Sequence, residues 1–263
     1  MTPVHALLPV KDLVRAKTRL AGLLTASERR ALAQAMVEDV LSVLGDCESV
    51  YRVTIVSDDP AAHLLASRYR AELIEERSLG VSGLNAVLEQ SCDRILSRED
   101  SVIMVLHGDL PLLTATELNG LLQKRETLGG LVIGCDRHGH GTNLLAFDAG
   151  SRPTLCFGVD SCHRHTAVAR TAGIEAHVER AAGLGLDVDE PKDLALLLKQ
   201  LVRQQSGFTH ALLSGTELGA RLQLALGLED DDTEAALNAS SVNESAVNET
   251  AVNDGAVAAE RLE

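Results

Sequence analysis

Seven short apolar runs alternate with longer stretches of helical spacing along most of this chain, and that alternation limits the fold more than any other feature. The runs are Val4–Pro9, Val50–Ser57, Ala71–Ile74, Ser101–Leu106, Gly130–Cys135, Asn143–Phe147 and Ile174–His177. Helical patterns cover Leu13–Leu23, Ala26–Leu44, Pro60–Arg68, Ser82–Leu96, Thr114–Arg125, Ser161–Ala172 and Glu190–Leu201. Strands separated by helices imply an α/β fold with a mostly parallel central sheet, covered on both faces. Cap signals support several helix starts: Ser27 in "SERR", Ser82 before an apolar-periodic run, and Thr114 with Glu117 three residues on. Ligands of such sheets sit outside the carboxyl ends of the strands.

The core of this sheet must be aliphatic. Of 263 residues 45% are hydrophobic, yet there is no Trp and aromatics make up only 2%. No apolar run is long enough to span a bilayer, and the N-terminus, with Pro and His inside its apolar part, is a poor signal peptide. No membrane partner is expected. The five cysteines are odd in number and scattered, without a C-x-x-C pair, so we expect reduced thiols in a cytoplasmic protein. The net charge of −14 is uneven: 11 acids against 2 bases fall after Gln205. That acidity argues against nucleic acid as a partner. The imperfect five-residue repeat in "SVNESAVNETAVNDGAV" fits neither a helical nor a strand period. It marks residues 229–263 as a low-complexity acidic tail, expected to be disordered, after a domain covering 1–228.

The first apolar run leads into "PVKDLVRAKTRLAGLL", which places Lys11, Arg15, Lys17 and Arg19 close together. By composition alone these form a basic helix face; the functional alternative is a phosphate cradle. The segment is not a P-loop, since G-x-x-x-x-G-K-[ST] is missing. Two acidic clusters complement it, "HGDLP" at Asp109 and "LDVDEP" at Asp187 and Asp189. Hard carboxylates at strand ends suit Mg²⁺ held jointly with substrate phosphates, although Asp189 also reads as the N-cap of a helix with Pro191 in its first turn. Histidines gather at His138 and His140 and again at His163 and His165. Zinc is the tempting reading, but the Gly-rich loop around the first pair favours solvated or phosphate-facing imidazoles. "GHGTN" and "CFGVDS" read as anion-binding turns.

Taken in order, "PVKDLVRAKTRLAGLL", "VSDDP", "GVSGLNAVLEQ", "GDLPLL", "DRHGHGTNLLAF", "FGVDSCHRHTAVA" and "LDVDEPKDL" resemble the guanylyltransferases of coenzyme F420 biosynthesis over about Pro3 to Leu201. The resemblance implies the nucleotide-diphospho-sugar transferase type of α/β sandwich. It also implies transfer of GMP from GTP to 2-phospho-L-lactate, phosphoenolpyruvate or 3-phospho-D-glycerate, with release of pyrophosphate. Residue by residue, Lys11, Lys17 and Arg19 match the triphosphate-binding cations, with Lys17, Arg19 and Asp109 as the catalytic set. Asp109, Asp187 and Asp189 match the Mg²⁺ ligands, and Thr142, Gly158 and Ser161 the positions that hold the acid. Asp58, Gly83 and Asn85 fall in segments expected near guanine and ribose. His107-Gly108 and the extra His140 depart from the pattern and lean the acceptor toward 3-phospho-D-glycerate, whose free hydroxyl they could pair with. The polar tail has no counterpart in the pattern. The alternatives are another nucleotidyltransferase of this fold, of molybdopterin or sugar-phosphate type, or a non-catalytic nucleotide-binding protein. Against the first, the run "GG-x-x-x-R-x-G" is missing. Beyond GTP and a small phosphorylated carboxylic acid as partners, a homodimer is left open.

Overall fold

In a computed structural model of the chain, the described residues are 2–98, 101–202 and 206–228. The tail expected over 229–263 therefore lies outside them. One compact unit spans Met1–Leu222, and a second begins at Gln223.

Seven strands form one sheet: β1 (Val4–Pro9), β2 (Val50–Val56), β3 (Glu72–Ile74), β4 (Val102–Leu106), β5 (Leu131–Cys135), β6 (Thr142–Phe147) and β7 (Ala176–Glu179), in the order β3-β2-β1-β4-β6-β5-β7. Only β6 runs antiparallel to its neighbours, against β4 and β5; the β1–β2, β1–β4, β2–β3 and β5–β7 pairs are parallel. Successive side chains of a strand point to opposite faces. Ala6, Leu8, Met104, Leu106, Leu144 and Ala146 accordingly face one layer, while Leu7, Ile103, Val105, Ile133, Leu145 and Phe147 face the other. Helices α1 (Ala26–Asp46), α2 (Pro60–Tyr69) and α4 (Ala115–Leu128) cover the first layer, and α3 (Leu84–Leu96) and α5 (Ser161–Thr171) the second. Leucine, valine, isoleucine and alanine make up most of both, with Met104, Phe147 and Phe157 among the rest.

Three helix starts differ from the expected ones. The cap of α1 is Thr25, not Ser27: its hydroxyl accepts the Glu28 N–H and the Glu28 carboxylate accepts the Thr25 N–H. Helix α3 is capped by Gly83 at φ 88°, not by Ser82. Helix α6 (Pro191–Leu201) is capped by Glu190 in a reciprocal box with Asp193, so Asp189 is released from capping. Thr114 and Glu117 form the expected box on α4. Two further helices, α7 (Phe208–Leu213) and α8 (Glu217–Ala225), were not foreseen. Asp39 on α1 ties the first of them down, accepting the Phe208 and Thr209 N–H groups.

The cysteine expectation needs a correction. Cys135, at the end of β5, and Cys162, in the first turn of α5, are joined as a disulfide with Cα atoms 6.1 Å apart. The topology brings them together because α5 packs directly over β5. Cys47, Cys92 and Cys156 are free. Burial pushes the Cys47 thiol up to about 11 and the Cys92 thiol to about 12, so both behave as inert core thiols. No helix among the described residues is long and apolar enough to cross a membrane.

Candidate active site

The carboxyl ends of β1 and β4 open onto a cleft of about 500 Å³, lined among others by Lys11, Arg15, Lys17, His107, Asp109 and Asp189. The segment after β1 is not the expected helix over Leu13–Leu23. Asp12 accepts the Val14 and Arg15 N–H groups at 2.8 and 3.3 Å, and buried Asp59, beyond the end of β2, accepts the Leu13 N–H at 2.7 Å. Only a 3-10 turn, Thr18–Leu20, survives of the helix. Lys17 enters it in the left-handed region at φ 53°, a rare conformation for a residue with a side chain. These contacts fold the basic segment across the strand ends as a loop.

The result is a buried cation between two carboxylates. Lys17 Nζ donates to Asp109 Oδ2 at 2.5 Å and to Asp189 Oδ1 at 2.8 Å, with only 8% of its side chain exposed. Burial by itself would push the ammonium down; Asp109 and Asp189 outweigh it and hold Lys17 above its ordinary value. Burial likewise opposes ionisation of Asp109, and Lys17 and His107 overcome it, so this carboxyl stays below its ordinary value. Asp187 has no such partner. Burial, with the Asp109 charge beside it, raises it, and its Oδ1 accepts from Asn143 Nδ2 at 3.3 Å. Asp109 Oδ1 is buried and receives no hydrogen bond. Two carboxylates thus meet one ammonium, with Asp187 beside them and a buried Asp109 oxygen still open. An unpartnered buried carboxylate oxygen costs free energy, and a hard divalent cation is the chemistry that satisfies it. In donor chemistry the oxygens of Asp109, Asp187 and Asp189 suit Mg²⁺, with Lys17 Nζ now standing between Asp109 and Asp189.

The other expected residues are placed less uniformly. Lys11 lines the cleft. Arg19 is exposed and pairs with Glu190 at 3.3 Å, whereas Arg15, which the resemblance did not assign, lies in the lining. Asp58 is exposed and accepts the Arg77 N–H at 3.1 Å. Asn85 makes a two-way clamp on Phe157, accepting its N–H at 2.7 Å and donating to its C=O at 3.1 Å. Thr142 and Ser161 are buried and joined to each other, the Thr142 N–H donating to Ser161 Oγ at 2.8 Å. Gly158, at φ 121°, is exposed.

A buried histidine, His165, holds this second wall together, where the sequence suggested a solvated or phosphate-facing imidazole. His165 Nε2 accepts the Cys156 N–H at 2.9 Å, which leaves the proton on Nδ1 to donate to Thr142 Oγ1 at 3.0 Å. Phe157 packs edge-on against His165, with ring centroids 4.9 Å apart, and tilted against His107 at 5.3 Å. His107 therefore links the wall to the cleft, and its Nε2 is buried without a partner. His140 does not line the cleft; it is exposed and bonded to Asp160.

Residues 4–206 match the family described as "Guanylyl transferase CofC like". A phosphoenolpyruvate guanylyltransferase of Conexibacter woesei is 38% identical over 208 residues, covering 78% of this chain and 92% of the relative. The chain belongs to the CofC-like guanylyl transferase family. It is a nucleotidyltransferase, and this sets aside both the molybdopterin or sugar-phosphate reading and that of a non-catalytic nucleotide-binding protein. A 3-phospho-D-glycerate guanylyltransferase of Phenylobacterium zucineum is 35% identical over 194 residues, 72% of this chain and 87% of the relative. Among solved structures, one from Desulfovibrio desulfuricans G20 named as a nucleotide-diphospho-sugar transferase superposes with a TM-score of 0.71 at 18% identity. It covers 85% of this chain and 98% of its own. That likeness concerns the fold, which is the expected nucleotide-diphospho-sugar transferase type.

Proposed function

We propose that the cleft binds GTP and that GMP passes to a small phosphorylated carboxylic acid, phosphoenolpyruvate or 3-phospho-D-glycerate, in a step of coenzyme F420 assembly. The observation that carries this reading is the Lys17 ammonium held between Asp109 and Asp189, beside the open oxygen of Asp109. An acceptor phosphate oxygen attacks the α-phosphorus of GTP, the new P–O bond forms, and the bond to the β-phosphate oxygen breaks to release pyrophosphate. The acceptor phosphate is already ionised at neutral pH, so no side chain need remove a proton from it.

The protein's task is alignment and charge balance. Asp109, Asp187 and Asp189 would hold Mg²⁺, which when bound supplies positive charge against the phosphates. Lys17 is preorganised, its ammonium fixed by two carboxylates before substrate arrives. Lys11 and Arg15, exposed at the rim, meet the outer phosphates. The backbone turn at Gly158 and the wall of Thr142 and Ser161 receive the acid from the other side. Because Thr142 and Ser161 already bond each other, their part is to shape that wall. His107 has a free buried nitrogen facing the same region and is the group best placed to sense the acceptor. His140 lies outside the cleft, which removes half of the argument for 3-phospho-D-glycerate. The names of the relatives favour phosphoenolpyruvate.

The test is pyrophosphate release with GTP, Mg²⁺ and each of 2-phospho-L-lactate, phosphoenolpyruvate and 3-phospho-D-glycerate. Competition at equal concentrations, with products separated by mass, then ranks the acids. No release with any of them refutes the acceptor class. Equal release with ATP or CTP refutes GTP as the donor.

A further inference from the structure

Outside the cleft, the connection between β5 and β6 meets the start of α5. There His140, Asp160 and His163 each present one ligand-type atom, and the three atoms lie within 4.8 Å of one another. His140 Nδ1 stands 3.1 Å from Asp160 Oδ1, and the His140 and His163 rings are 5.7 Å apart between centroids. We propose that these three side chains form a binding site for a borderline divalent transition ion of the Zn²⁺ class, with water completing its coordination.

Two imidazoles and one carboxylate make a ligand set that zinc takes readily, commonly three protein groups plus water in a tetrahedron. The same set is poor for Mg²⁺ or Ca²⁺, which prefer all-oxygen surroundings. The site is also positioned before any ion arrives. Asp160, the N-cap of α5, stands three residues before His163 in its first turn. The backbone of His140 is fixed on both sides, its N–H donating to Asp136 Oδ1 at 2.8 Å and its C=O accepting the Cys162 N–H at 2.9 Å.

A simple surface ion pair explains less. It would account for His140 and Asp160, a weak contact at the surface, but not for a second imidazole brought to the same point. The neighbouring histidines are spoken for: His165 is buried in its bonds to Thr142 and Cys156, and His138 Nε2 accepts from Arg137 Nε. The site bridges the two segments that carry Thr142 and Ser161, yet its existence does not depend on what the cleft binds.

The experiment uses the untagged full chain, stripped with EDTA, dialysed and supplied with excess Mg²⁺ to occupy the acidic cleft. Calorimetric titration with Zn²⁺ should give one ion per chain. Co²⁺ should give the visible absorption of a tetrahedral centre, without the thiolate charge-transfer band that Cys156 would add. Affinity should fall by roughly tenfold or more in His140→Ala and in His163→Ala and stay unchanged in Asp109→Asn. Thermal melts without metal show that the two alanine variants, altered at exposed positions, remain folded. No Zn²⁺ binding overturns the proposal. So does binding that survives His163→Ala but is lost in Asp109→Asn, which would put the ion in the cleft.

Discussion

Acidification should loosen the wall beside the cleft through one residue, His165. The ring is fully buried, and burial, aided by the Arg164 charge, pulls its pKa down from 6.5 to about 4. The geometry gives the reason. Nε2 accepts a backbone N–H from Cys156, and a proton on that nitrogen would break the bond and set two donors face to face. The unfolded chain has no such constraint and takes the proton near its ordinary pKa. Stability from this group is therefore fully present above about pH 6.5 and is lost as pH falls toward about 4. The whole gap corresponds to about 3 kcal/mol, of which about 2 kcal/mol is gone by about pH 5. Asp39 and Asp187, whose folded values are raised, act in the opposite sense, so a difference measurement is needed. Urea unfolding followed by circular dichroism, with EDTA present, should be run at about pH 7.5 and about pH 5 on wild type and His165→Gln. Glutamine can still accept the Cys156 N–H and does not titrate. Wild type should lose about 2 kcal/mol more than the variant. Parallel losses would refute the neutral, Nδ1-protonated assignment of His165.

Three further outcomes follow from named contacts. Asp109→Ala should lower kcat by about a hundredfold or more with an unchanged circular dichroism spectrum; wild-type, Mg²⁺-dependent turnover would remove Asp109 from the metal set. Asp59→Ala removes the acceptor for the Leu13 and Ala61 N–H groups. It should cost about 1–3 kcal/mol in denaturant unfolding and raise the KM for GTP more than it lowers kcat, because it frees the loop that carries Lys11 and Arg15. Asn85→Ala unpairs the Phe157 N–H, while the Phe157 C=O keeps its bond from Arg164 at 3.0 Å, and should cost about 1–3 kcal/mol; a loss under about 0.5 kcal/mol would show that water replaces the lost acceptor.

What was legible in the sequence was what local spacing encodes. The bounds of β1 coincide with the apolar run Val4–Pro9, and the Thr114 box follows from a threonine with a glutamate three residues on. The same T-x-x-E pattern at Thr25 was passed over for Ser27, although the signal was present. The helix expected over Leu13–Leu23 failed for a different reason. Its periodicity is real, but Asp59, 46 residues away, takes the Leu13 N–H, and no local pattern records that. Site residues divide along the same line. Lys17, Asp109 and Asp189 lie on segments whose ends the sheet must bring together, so motif order located them. Asn85 and Thr142 were assigned as ligand contacts, but their polar atoms are already used by Phe157 and by His165 and Ser161. Side-chain type alone does not tell a free donor from one that is already paired.

That distinction also shapes the reading of the cleft. At its head a single buried ammonium is shared by Asp109 and Asp189, with Asp187 beside Asp109, so the protein alone leaves this end acidic. A triphosphate brought there without a further cation would meet net negative charge at close range, in surroundings where charges are poorly screened. On the proposed function, a divalent cation must therefore arrive before the nucleotide or with it. Asp187, raised by burial and by Asp109, is then the group whose ionisation gains most from that arrival. Lys17 is held in place from the start by the carboxylates it already touches. A cation held by Asp109 and Asp189 would share the carboxylates that now engage Lys17, leaving its ammonium freer to meet the phosphates. On the proposed function, the acidity that leaves the resting cleft unsatisfied would couple metal and nucleotide binding.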